Sequence, residues 1–138
     1  MSVPPISVGD VFTIDREVTP SIYDAFVICS EDRNPLHVDD SYANERGFKG
    51  KLMHGAILNA FISGFVGSGL PSSDTMCLSQ KVNFKRPFFL NDVVSMRARV
   101  EEIQSTACPD KWSVAMKLSF CVADKTVATG EVQFLIGK

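Results

Sequence analysis

Clusters of basic residues are missing from this sequence of 138 residues. Its 14 lysines and arginines are nearly balanced by 16 acidic residues, which gives a formal net charge of -2. No stretch carries enough adjacent cations to neutralise a run of phosphates, as nucleic-acid binding requires. The composition therefore argues against a nucleic acid as partner.

Cysteines are also few, and they are scattered. The four cysteines form no C-x-x-C pair, and a domain of this size folds without disulfides. We therefore expect reduced thiols, with Cys29, Cys77 and Cys121 serving as small residues of the core.

No hydrophobic run is long enough to cross a bilayer. The most apolar stretch, residues 56–70, falls short of the roughly 20 residues that a span needs, and Asn59, Ser63 and Ser68 interrupt it. Residues 1–10 contain two prolines and no basic segment before an apolar block, which is not the pattern of a secretory signal. We expect no membrane span and a cytoplasmic location.

The overall amino-acid composition is that of an ordinary globular domain. Hydrophobic residues make up 45% of the chain and charged residues 22%, and no repeat, low-complexity tract or linker divides it. Residues 1–138 are therefore predicted to form a single domain.

Two short helices are predicted in the first third of the chain. Thr19 can cap a helix that starts at Pro20 and ends near Ser30. Its buried face is predicted from residues three and four apart, namely Ile22, Ala25, Phe26 and Cys29. Pro35 fixes a turn in the polar loop that follows, and residues 39–46 predict the second helix.

Residues 54–69 predict a helix of a different kind. Apolar side chains cover nearly every direction around its axis, which predicts a helix that is buried all round. Gly55, Asn59 and Ser63 lie four residues apart and share one stripe of this helix. That stripe is either a packing seam or the floor of a site.

The second half of the chain is rich in strand patterns. Alternating apolar and polar residues predict strands at 77–84, 93–102, 112–122 and 126–135, and residues 11–14 add an early strand. The apolar helix is the element available to fill the concave face of such a sheet. The predicted fold class is α+β, a hot-dog fold in which a curved antiparallel five-stranded sheet wraps around a buried central helix.

A group of polar residues suited to proton transfer surrounds the start of this helix. Asp32 and His37 flank the proline turn, and a histidine beside a carboxyl can exchange protons through one shared water. The free N–H groups at a helix start, where Gly55 lies, suit a carbonyl oxygen that gains negative charge. These residues favour proton transfer beside a carbonyl, and an ordinary proline turn with a hydrogen-bonded histidine is the alternative.

Several motifs in this region resemble those of one family. Residues 30–39 read SEDRNPLHVD, and YA at 42–43, GF at 47–48 and HG at 54–55 follow. This run resembles the hydratase 2 motif of MaoC-like (R)-specific enoyl-CoA hydratases. The similarity extends over nearly the whole chain, from VGD at 8–10 through VNFKRP at 82–87 to GEV at 130–132.

The resemblance implies an enzyme of the hydro-lyase class that reversibly hydrates a trans-2-enoyl-CoA to an (R)-3-hydroxyacyl-CoA. It implies that Asp32 and His37 form the catalytic dyad and that the Gly55 amide binds the thioester oxygen. It further implies that Asn34 steadies the catalytic turn and that Ser63 supports the dyad from the central helix. The implied substrate carrier is coenzyme A or an acyl carrier protein, and no cofactor is implied beyond it.

Three positions depart from the family pattern. Glu31 stands where the family usually has glycine, Ala56 where methionine is common, and Asn59 where a small apolar residue is common. Glu31 adds negative charge beside the dyad. None of the three removes a catalytic group, so we expect them to affect substrate preference more than reaction type.

Further residues have both a functional and a simpler explanation. Lys85 and Arg86 are the local pair best suited to coenzyme A phosphates, or they are two solvated charges at a strand end. We expect His54 to be neutral and to cap the central helix, because a cation is disfavoured at that end. With two histidines in the chain and no thiol near them, no metal site is expected.

We expect a homodimer, because a single hot-dog domain exposes a sheet edge and leaves its cleft half built.

Two alternatives to the hydratase stay open. A hot-dog thioesterase would place a carboxylate on the central helix, where this chain offers Asn59 and Ser63 instead. A non-catalytic module that binds acyl thioesters would keep the fold and lack turnover.

Overall fold

The computed structural model describes residues 2–138, and it contains five strands and four helices. In chain order these are β1 (Val11–Glu17), α1 (Pro20–Ser30), α2 (Pro35–Val38), α3 (Asp40–Glu45), α4 (Ile57–Ser68), β2 (Thr75–Phe84), β3 (Val93–Ser105), β4 (Lys111–Val122) and β5 (Lys125–Gly137). All five predicted strands are present, each slightly longer than predicted.

The strands form one antiparallel sheet in the order β1-β3-β4-β5-β2. Side chains along β4 alternate between buried and more exposed positions, and the buried set continues across the sheet through pairs such as Met116 with Val132. Ala123 and Asp124 both have positive φ angles and make the tight turn from β4 to β5. The alternation that predicted the strands therefore also gives the sheet its apolar face.

Helix α4 packs against this apolar face. The Phe65 ring lies 5.6 Å from the Phe12 ring of β1, and the Thr75 hydroxyl donates to the Val66 carbonyl at 2.7 Å. One hydrophobic core joins the sheet with α1 and α4. The predicted hot-dog architecture is confirmed.

The prediction that α4 is buried on all sides was wrong. Its buried residues are Ile57, Leu58, Phe61, Ile62, Phe65 and Val66, whereas Ala60, Ser63, Gly64 and Gly67 are exposed. The exposed positions are all small, and Ala60, the apolar residue among them, buries little area when it is covered. Helix α4 also begins at Ile57 rather than at residue 54, because a single turn precedes it.

The buried face of α1 also differs from the prediction. Tyr23 and Val27 are buried, whereas Ile22 and Phe26 are half-buried and Ala25 is exposed. The Tyr23 hydroxyl donates to a backbone carbonyl of the adjoining segment, which turns that face of the helix inward. The predicted face instead lines an open groove of about 330 Å³ beside α4.

The cysteines are not core residues. Cys29 and Cys77 are exposed and Cys121 is half-buried, because Cys29 lies on the outward face of α1 and Cys77 on a sheet edge. Across residues 2–138 no helix has the length and apolar character needed to cross a membrane. The cytoplasmic location stays a prediction.

Candidate active site

The candidate site starts where α1 ends. Glu31 takes a left-handed conformation with φ of 58°, and its N–H donates to the Val27 carbonyl at 2.9 Å. This is the position after a helix at which glycine is favoured, because glycine carries no Cβ penalty there. The backbone conformation therefore explains why the family usually has glycine where this chain has Glu31.

Side-chain hydrogen bonds then fix the turn that follows. The Ser30 hydroxyl accepts the Asp32 N–H at 3.1 Å, and the Asp32 carboxylate accepts the Asn34 N–H at 3.1 Å. The Asn34 side chain caps α2 by accepting the Leu36 N–H at 3.0 Å. Asn34 thus holds the turn, and Pro35 occupies the first helical position, where it is best tolerated.

His37 lies on α2 with one ring nitrogen bound to the backbone. Its Nδ1 is 2.8 Å from the Leu52 carbonyl oxygen, and a carbonyl oxygen only accepts hydrogen bonds, so Nδ1 carries the hydrogen. In the neutral ring, Nε2 is then the nitrogen with a free lone pair. His37 Nε2 is 3.9 Å from a carboxylate oxygen of Asp32.

The separation of 3.9 Å between these two groups matters chemically. It is longer than a hydrogen bond, so the imidazole and the carboxylate do not bond directly. It is short enough for one water oxygen to lie within hydrogen-bond distance of both. The side chains are 22% and 47% exposed, respectively, so solvent and substrate can reach the pair.

His54 lies directly behind His37. The two rings are stacked, with centroids 4.1 Å apart and an interplanar angle of 24°. His54 Nε2 is 2.9 Å from the Asp32 carbonyl oxygen, to which it donates. The expectation that His54 caps the central helix was wrong, because its ring bonds to the turn that contains Asp32 and the capping position of α4 is Ala56.

Gly55 follows His54 in the turn that precedes α4. The Ile57 N–H donates to the His54 carbonyl at 3.1 Å and the Leu58 N–H donates to the Gly55 carbonyl at 3.0 Å. Within residues 2–138 the Gly55 N–H itself donates to no backbone or side-chain acceptor at hydrogen-bond distance. It is one of the unpaired amides that a helix start provides.

An aromatic ring lies against Gly55. A Cβ atom at this position would come within 2.6–2.9 Å of three ring atoms of Phe84, so glycine is required for this close approach. Phe84 is the last residue of β2 and is 57% exposed. The ring and the glycine together form one wall of a cleft.

The cleft has a volume of about 470 Å³. It brings His37 and Gly55 together with Phe84, Lys85 and Arg86. The Lys85 and Arg86 amides both donate to the Val127 carbonyl, which holds the two cations at the cleft on a fixed backbone. The binding of a phosphate by this pair stays a prediction.

Ser63 is the one predicted site residue that the structure does not bring to the dyad. Its side chain is exposed on α4, and in the described part of the chain it makes no hydrogen bond to Asp32 or His37. Asn59, on the same stripe, donates to the Gln80 side chain at 3.0 Å. This contact links α4 to β2, so at Asn59 the stripe packs one element against another. A supporting role for Ser63 stays a prediction.

Asp32, His37 and His54 each place one potential metal-ligand atom within 4.8 Å of the others. The stacking of the two rings opposes joint coordination, because in-plane lone pairs of stacked rings run nearly parallel and do not converge on one point. In addition, His54 Nε2 is engaged by the Asp32 carbonyl. We therefore assign no metal to this cluster.

Sequence reasoning missed three contributors to the site. The Leu52 carbonyl sets the His37 tautomer, the Tyr23 hydroxyl donates to the His37 carbonyl at 2.5 Å, and His54 holds the Asp32 backbone. All three contacts use backbone carbonyls, which carry no residue-specific signal. The one available signal was the position of His54 immediately before Gly55 in the motif.

Comparison with known proteins identifies relatives of this chain. A family model described as a MaoC like domain matches residues 8–119. An (R)-specific enoyl-CoA hydratase from Aeromonas caviae is 32% identical over 104 residues, which cover 75% of this chain and 78% of the relative. An enzyme of the same name from Rhodospirillum rubrum is 29% identical over 131 residues, covering 95% and 88%.

A solved structure is similar as well. The (R)-hydratase from A. caviae involved in PHA biosynthesis superposes with a TM-score of 0.81 at 27% identity, covering 94% of this chain and 96% of that one. The family match, the relatives and the superposition all span most of the chain. The motif resemblance is therefore confirmed, and the chain belongs to the MaoC-like domain family.

Proposed function

We propose that this chain, as one MaoC-like domain over residues 1–138, reversibly hydrates trans-2-enoyl-CoA to (R)-3-hydroxyacyl-CoA. The observation that carries the proposal is the 3.9 Å gap between His37 Nε2 and the Asp32 carboxylate. Of this pair, His37 also lines the cleft that contains Gly55. The relatives that support it are named as hydratases, and a 3-hydroxybutyryl-CoA dehydratase from Methylorubrum extorquens is 26% identical over 133 residues. These activities are hydro-lyase reactions.

The dyad would act on one water. The water oxygen forms the new bond to C3 of the enoyl thioester while its proton passes to the dyad, and the dyad returns one proton to C2. His37 Nε2 is the unprotonated nitrogen of the neutral ring and is available to accept a proton. Because both groups would contact the same water, we assign the proton transfers to the pair and not to one residue.

The Gly55 amide would stabilise the charge that develops during this step. Addition of water at C3 pushes electron density onto the thioester oxygen, and a fixed N–H donor lowers the energy of that enolate-like state. Lys85 and Arg86 would contact the phosphates of coenzyme A at the cleft edge. The proposal requires no cofactor beyond the thioester substrate.

The proposed activity is tested with crotonyl-CoA and longer trans-2-enoyl-CoAs. We expect loss of the conjugated thioester with formation of the (R)-3-hydroxyacyl product, identified by chiral chromatography. The matched variants Asp32→Asn and His37→Ala should each lower kcat at least about 100-fold, the scale of lost acid–base catalysis. Release of free thiol would instead indicate a thioesterase, and binding without turnover would indicate a non-catalytic module.

We also propose that the functional unit is a homodimer that pairs the β2 edges of two copies. Strand β2 lies at one edge of the sheet and exposes Met76 and Leu78, which are 62% and 52% exposed. An unpaired edge with exposed apolar side chains favours pairing with another strand. The variant Leu78→Lys should shift the sedimentation coefficient toward the monomer, and an unchanged dimer would place the interface elsewhere.

A further inference from the structure

His54 carries no step of the proposed chemistry, although its ring touches both members of the dyad. It is 2% exposed, donates through Nε2 to the Asp32 carbonyl at 2.9 Å, and stacks on His37. The Phe26 ring packs on it as well, with centroids 4.9 Å apart. His54 is therefore held in place from several directions.

The second nitrogen of His54 shows which property of the ring is used. Nδ1 is buried and has no hydrogen-bond partner within residues 2–138. A buried polar atom without a partner is costly, and an apolar side chain of similar size would fill the space without that cost. The structure tolerates this unpaired atom, which indicates that the Nε2 donor performs a task that packing alone does not require.

We propose that His54 is a positioning residue that sets the distance between Asp32 and His37. Its N–H ties the Asp32 backbone to the packed interior, and its ring packs against the His37 ring. The Asp32 side chain has few other anchors, since it is 47% exposed and accepts one hydrogen bond from within its own turn. This inference rests on the proposed function, because the distance matters only if the pair shares a water.

Two variants separate the two contacts. His54→Gln keeps an N–H donor at similar reach and removes the stacked ring, and His54→Phe keeps a buried ring and removes the donor. We expect His54→Phe to lower kcat about 10- to 100-fold with little change in KM, because a small displacement of a catalytic group costs that much. His54→Gln should restore kcat to within a few-fold of the parent.

A control variant removes the effect of general destabilisation. Val100→Ala changes a fully buried residue of β3, so it should lower the unfolding temperature without lowering kcat. A kcat for His54→Phe equal to that of the parent would overturn the proposal. Equal losses of kcat in His54→Phe, His54→Gln and Val100→Ala would also overturn it, because the loss would then follow stability.

A spectroscopic measurement tests the His54–Asp32 hydrogen bond without any turnover. The chain has two histidines, so imidazole ¹⁵N NMR gives two sets of signals, and each set reports the tautomer of one ring. The set that disappears in His54→Gln belongs to His54, and the set that remains belongs to His37. We expect an Nδ1–H ring for His37 and an Nε2–H ring for His54. An Nδ1–H ring at His54 would overturn the proposal, whereas absence of hydration by the parent enzyme would count against the proposed function alone.

Discussion

The open cleft and the packed interior meet at two stacked histidines that use opposite nitrogens. On the cleft side, His37 donates through Nδ1 to the Leu52 carbonyl, and its Nε2 faces Asp32. On the interior side, His54 donates through Nε2 to the Asp32 carbonyl, and its Nδ1 is buried without a partner in the described chain. The rings are 4.1 Å apart, yet one is 2% exposed and the side chain of the other 22%.

This difference shows how a backbone assigns roles to identical side chains. A carbonyl oxygen fixes the hydrogen on the ring nitrogen that it contacts, and the other nitrogen is left as the free one. For His37 the free nitrogen faces solvent and a carboxylate, where proton transfer is useful. For His54 the engaged nitrogen donates to the Asp32 carbonyl, which is the basis of the positioning role proposed for this residue.

The largest effect is expected from the interior, on stability. Met116 is fully buried in β4 and does not line the cleft. Met116→Ala should lower the free energy of unfolding by about 2–5 kcal/mol, because the lost burial is joined by the cost of a cavity. Chemical denaturation measures this loss, and kcat below the transition should match the parent. A large fall in kcat would show that packing in the interior also controls catalysis in the cleft, which would contradict this comparison.

A change in the cleft should affect catalysis instead. Gly55→Ala places a methyl group within 2.6–2.9 Å of the present Phe84 ring atoms. The exposed ring can move aside, so stability should change little, but the methyl group blocks the approach to the Gly55 amide. We expect kcat/KM to fall about 10- to 100-fold, the scale of a weakened oxyanion contact.

Phe84→Leu serves as the control for this variant. It removes the aromatic wall and leaves the amide open. If Phe84→Leu lowers kcat/KM as much as Gly55→Ala does, the loss comes from displacement of the ring and the role proposed for the amide is contradicted.

The smallest effect is expected at the helix end that leads into the catalytic turn. Glu31→Gly removes a side chain from a residue with φ of 58° and should raise the free energy of unfolding by about 0.5–1 kcal/mol. Thermal denaturation measures this gain, and kcat should stay within about two-fold. Glu31→Gln keeps the strained backbone and removes the charge, so a gain in stability from Glu31→Gln would point to charge as the cause.

The regular elements were predictable because their signals are local. The alternation in β4 and the Thr19–Pro20 start of α1 each follow from a few neighbouring residues. The exposed face of α4 was not predictable in this way, since Ala60 counts as apolar in the sequence pattern although it is exposed in the structure. Burial of such small residues depends on what packs over them, which a single sequence does not encode.

The resemblance predicts Asp32 and His37 as a dyad, whereas it does not predict the contacts that hold the two residues in place. The Asp32 carbonyl and the Leu52 carbonyl are backbone atoms that lie 22 and 15 residues from the histidines they contact. Any residue presents the same carbonyl, so no pattern marks these acceptors. The catalytic roles of Asp32 and His37 stay a prediction from their side chains, whereas the two tautomers follow from contacts that appear only in the folded chain.

The central claim is that Asp32 and His37 act as one proton-transfer unit on a shared water. The most direct test compares kcat/KM for enoyl-CoA hydration in Asp32→Asn, in His37→Ala and in the double variant. If the two groups act together, the double variant should be about as slow as either single one, at least about 100-fold below the parent. Losses that multiply, to about 10,000-fold in the double variant, would show that the two residues act independently and would contradict the account.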